Sequence, residues 1–105
     1  MEDLAQNIEE NSFLLTLRLN LRFDEEAYAD LIILLKAAIK EYSGKDEIPR
    51  RLAQSLYIIP QMVRNTFLML KDEENQELRD KRNELRDKLE DTWIDLDALV
   101  LECLA

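Results

Sequence analysis

Carboxylates are the one plentiful group in this chain with chemical capacity: there are 23 acids, 14 bases, a single cysteine and no histidine. Without histidine the usual zinc ligand sets, His-based triads and Glu-x-x-His di-iron sites are excluded. Gly44 is the only glycine, so no glycine-rich loop can cradle a phosphate. Cys103 has no intrachain disulfide mate, and no imidazole to activate it. It reads as a small apolar residue between Leu101 and Leu104. Trp93 and the Phe and Tyr residues fall at core-like positions and read as packing.

The densest acids are Glu73, Glu74 and Glu77, separated by Asn75 and Gln76. At helical spacing this run is similar to an acidic motif of the all-helical nucleotide pyrophosphatases of the MazG type. That likeness implies bound Mg²⁺ and a second acidic motif on a neighbouring helix. The next acids here, Glu84, Asp87, Glu90 and Asp91, continue along the same stretch among basic neighbours. A solvated charged face is therefore expected, with no catalytic, cofactor-binding or metal residues and no enzyme activity.

Charge narrows the partners. Of the net −9, residues 1–12 carry four acids and no base, and residues 61–105 carry twelve acids against seven bases. Such a chain repels nucleic acid and anionic membrane at long range, and it favours a basic partner or simple solubility. No uncharged run approaches the ~18 residues of a membrane span. The opening Met-Glu-Asp-Leu lacks a signal-peptide pattern, so a cytoplasmic location is expected.

The 105 residues fit one domain, 1–105, and the single Gly and two Pro argue against the many tight turns of a sheet. The acidic segment 1–12 contains a short helical stretch with Leu4 and Ile8 on one side. Asp24 then caps a helix whose stripe is Tyr28, Leu31, Ile32, Leu35, Ile39 and Tyr42, closed by Ser43-Gly44. Phe23 and Tyr28 occupy the two ends of a hydrophobic staple.

Pro49 suits the first turn of the next helix. Its seam, from Leu52 through Leu56, Ile59, Val63 and Phe67 to Leu70, runs across Pro60. Either a kinked helix or two helices meeting there satisfies the pattern. From Asp72 onward a heptad runs through Leu78, Leu85, Leu89, Leu96 and Leu99, with Thr92 and Cys103 at seam positions. Its first half is charged and solvated; its second half is strongly apolar.

Residues 13–23 break this helical rhythm. Phe13, Leu15, Leu17, Leu19, Leu21 and Phe23 alternate with Thr16, Arg18, Asn20 and Arg22, which predicts a β-strand with one greasy face. A lone strand needs a mate, and no second run alternates as cleanly. Self-pairing across a two-fold axis is the simplest solution.

Strand, acidic helix start Asp24-Glu25-Glu26, Gly44 turn and second helix from Pro49 follow in the order of the ribbon-helix-helix DNA-binding dimers, which residues 16–56 resemble. The resemblance implies that Arg18, Asn20 and Arg22 reach base edges in the major groove, and that Arg50 and Arg51 meet phosphate.

The resulting expectation is a mainly α helical bundle with a long C-terminal helix, helices over 24–105 and one N-terminal strand paired across a homodimer. Net acidity, and the N–H that Pro49 cannot offer a phosphate, place a non-enzymatic protein–protein interaction domain first. A ribbon-helix-helix regulator is the alternative. A second copy of the chain is the expected partner, with another protein next. Nucleic acid ranks low, and no membrane or cofactor is expected.

Overall fold

In the computed structural model, which describes residues 4–104, five helices follow one another: α1 (Leu4–Glu10), α2 (Phe13–Asn20), α3 (Glu25–Tyr42), α4 (Arg50–Lys71) and α5 (Gln76–Leu104). Local signals account for their ends. The Asp24 carboxylate accepts the Ala27 N–H at 3.1 Å, capping α3, with Glu25 and Glu26 in its first turn. The staple forms as a three-ring cluster. Phe23 and Tyr28 lie 5.1 Å apart, and Phe13 sits 5.0 and 5.1 Å from them. Gly44, at φ +81°, supplies the left-handed turn after α3.

Pro49 stands at the N-cap of α4, one residue before the first turn. The helix then runs through Pro60 as a single element. An internal proline costs about 3 kcal/mol. Leu56, Ile59 and Val63, each at most 1% exposed, bury enough apolar surface around it to offset that. At the start of α5, Asn75 Oδ1 accepts the Leu78 N–H at 3.2 Å.

The expected strand is corrected. Residues 13–20 are helix, and no strand occurs among the described residues, so no ribbon is available to pair across a two-fold. Alternation over 13–23 and a helical stripe share Phe13 and Leu17, which are four apart and at most 1% exposed. A helix satisfies its own backbone without a mate, and leucine favours it. The cost falls on Leu15 and Leu19, left 58% and 68% exposed. The chain leaves α2 through Leu21 in the left-handed region, φ 49° and ψ 43°, its N–H bonded to the Leu17 carbonyl.

Asn11 explains why α1 and α2 are separate. Its Oδ1 accepts the Phe13 N–H at 3.0 Å and its Nδ2 donates to the Ala27 carbonyl, also at 3.0 Å. The broken α1–α2 segment therefore descends along α3 and runs beside α4, where Arg51 reaches Glu9. On the far side α5 packs against both α3 and α4, while α3 and α4 make no close backbone contact and lie across the diagonal. A four-helix cross-section results, its core built from Phe13, Leu31, Leu35, Leu56, Ile59 and Leu96 among others.

Lys88 of α5 pairs with Glu25 at the start of α3 and lies over the Phe23 ring at 4.2 Å. The α5 turns before Lys88 thus extend past α3 and rest on α4. This explains the thin stripe: Leu78 and Leu85 are only half-buried, while Leu89, Leu96, Val100 and Cys103 are buried. The molecule is elongated accordingly, 48 × 23 × 18 Å.

Candidate functional site

Parallel helices that meet over only one flank leave a furrow, and α1–α2 against α4 does so. The furrow has a volume of about 370 Å³ where Leu14, Leu15 and Arg18 face Ile58 and Met62 above Ile8. It continues toward the end of α4, where a further 360 Å³ lies between Leu17, Arg18, Met62, Asn65 and Met69. Leu14, Arg18 and Met62 belong to both stretches, so the two form one groove. Its apolar lining is open to solvent: Leu15, Ile58 and Met69 are 58%, 46% and 54% exposed. Glu9 and Glu10 stand at one end and Arg18 in the middle.

Glu9 is already engaged. Arg51 donates to it twice, at 2.9 and 2.6 Å, and the Ser55 hydroxyl adds a bond at 3.3 Å. The Arg51 hydrogen bonds hold the Glu9 carboxyl below the ordinary glutamate range. Among the described residues Glu10 accepts from the Gln6 amide, at 2.9 Å. Among the described residues neither Glu10 nor Arg18 has an ion-pair partner.

A second groove, of about 330 Å³, lies between α4 and α5, lined by Tyr57, Pro60, Trp93, Leu101 and Leu104. The Arg64 guanidinium lies 5.7 Å from the Trp93 ring centre, and among the described residues the buried Trp93 Nε1 has no hydrogen-bond partner. Burying that N–H unpaired costs roughly 1–3 kcal/mol.

The five residues expected to face DNA are scattered. Arg18 and Asn20 are exposed on α2, and Arg22 follows in the loop, 3.8 Å from Asp24. Arg50 is exposed at the first turn of α4, and Arg51 is held by Glu9. Arg18 lies beside Met62, about 18 Å along α4 from Arg50. The structure brings no two of them onto one ribbon face.

The acids of residues 73–77 do not share a helical face either. Glu73 and Glu74 precede α5, and Glu73 Oε1 turns back to accept the Asn75 N–H at 3.0 Å. Among the described residues no three acids or thiols converge as a metal-holding group. Cys103 is 3% exposed, and burial pushes its thiol pKa up.

No helix among the described residues is long and apolar enough to cross a membrane. Comparison with protein-family models, with curated proteins and with solved structures finds no match.

Sequence reasoning missed the groove. The signal for its α2 flank was present in Leu15, which with Leu19 forms a second i,i+4 pair opposite Phe13 and Leu17, and for its other flank in the Ile58, Met62, Met69 stripe of α4.

Proposed function

We propose that this chain is a non-enzymatic protein–protein interaction domain that works as a homodimer. The observation that carries the reading is the open apolar groove along α2 and α4, whose Leu15, Ile58 and Met69 stay about half exposed or more. Exposed apolar side chains that border one groove offer a partner a place to bury surface. The absence of histidine and the net charge of −9 support an interaction role over catalysis or nucleic-acid binding. A basic protein is the second partner class that this charge suits.

Light scattering at micromolar concentration tests the reading. It should return twice the 12.4 kDa chain mass. A monomer at every concentration reached would overturn it. A pool of short DNA duplexes at low salt should show no retention by the protein; tight retention would move the function to DNA.

A further inference from the structure

The groove contains a charge arrangement that points to its occupant. Glu10 and Arg18 both line it, four residues to either side of Leu14, Glu10 at the end of α1 and Arg18 in the second half of α2. Both are exposed, and neither has an ion-pair partner among the described residues. Around them the exposed apolar side chains are Leu15 and Leu19 on α2 and Ile58 and Met69 on α4.

We infer that the groove is covered by the same groove of a second copy, with the two α2 helices antiparallel about a two-fold axis beside Leu14. A two-fold interface sets residue i against j and j against i. An axis midway between Glu10 and Arg18 therefore brings Arg18 of each chain to Glu10 of the other, making two ion pairs from the two unpartnered charges of each chain. The same operation places Leu15 of each chain beside the axis and carries Leu19 to the α1–α4 end of the other chain's groove, where Ile8 and Ile58 line it. A second copy supplies both the acid and the base in the required order. The apolar centre with charges flanking it also matches the anatomy of protein interfaces.

This surface rests on the homodimer reading above and specifies where the dimer forms. Sedimentation equilibrium on the full chain separates the two. Leu15→Glu should leave the protein monomeric, with unchanged helical circular dichroism because Leu15 is solvent-exposed. Glu10→Lys and Arg18→Glu should each weaken association about tenfold, and the double variant should regain most of it. The two single changes move net charge in opposite directions, so a loss common to both isolates the pair from general repulsion. If wild type is dimeric and all these variants dimerise equally well, this surface is wrong. The dimer then forms elsewhere, with the α4–α5 groove the next place to test. If wild type is monomeric, the homodimer reading falls and the surface with it.

Discussion

Asn11 and Ala27 are joined across two helices: the Asn11 amide donates to the Ala27 carbonyl at 3.0 Å, while its own oxygen takes the Phe13 N–H. One side chain thus ends α1, starts α2 and ties both to the first turn of α3. It fixes the direction in which α2 lies on the bundle, and with it which leucines face out. Asn11→Ala leaves a part-buried N–H and carbonyl without these partners and should cost about 1–3 kcal/mol. Urea melts check this, and a loss below a few tenths of a kcal/mol would show that the clamp is dispensable.

The two halves of α5 should respond differently to truncation. Leu96 is fully buried in the half of α5 that packs into the bundle, whereas Leu78 is half-buried on the stretch that rests on α4. Leu96→Ala should cost about 2–5 kcal/mol, and Leu78→Ala about 1 kcal/mol or less. Urea melts at matched protein concentration decide it, and the reverse order would mean that the charged half is itself a packed interface.

Leu21 offers a backbone test. A left-handed φ of 49° penalises every residue with a Cβ by roughly 1–2 kcal/mol, and glycine escapes it. Leu21→Gly and Leu21→Ala lose nearly the same side-chain packing. The glycine variant should nonetheless be the more stable of the two by about 1 kcal/mol. Equal melting points would indicate that this turn relaxes in solution.

The Glu9–Arg51 pair predicts a pH effect of definite sign. Arg51 lowers the folded-state pKa of Glu9 below the ordinary 4.5. The pair's contribution is therefore present above 4.5 and is lost as pH falls through the lower folded value. Carboxyl NMR titration should find Glu9 below 4.5 in wild type and raised toward 4.5 in Arg51→Ala. The same titration midpoint in both proteins would exclude the pair in solution.

Much of this architecture was legible from side-chain period and capping chemistry. The α3 stripe, its Asp24 cap and its Gly44 end lie where pattern places them, and the α4 seam of Leu52, Leu56, Ile59 and Val63 is buried throughout. Period alone left the state at Pro60 open, because it could not weigh a missing hydrogen bond against the burial around it.

Residues 13–20 misled for a different reason. Leucine at every second position fits a strand face and also supplies two i,i+4 pairs. Only the surroundings decide which pair is buried. The candidate groove was hidden by the same ambiguity, since an outward Leu15 and Leu19 exist only once the helix is known. The acids at 73–77 looked like a face until Asn75 capped α5 and set Glu73 and Glu74 outside it.

The central claim is that α2 is a helix whose second leucine pair faces a second copy of the chain. Its most direct test is an isotope-filtered NOE experiment on a mixture of labelled and unlabelled protein. Intermolecular contacts should appear at the methyls of Leu15, Leu19 and Ile58, and should be absent at Leu35, which is 1% exposed and lies outside the groove. Intermolecular contacts confined to other residues, or no such contacts at millimolar concentration, would contradict the account.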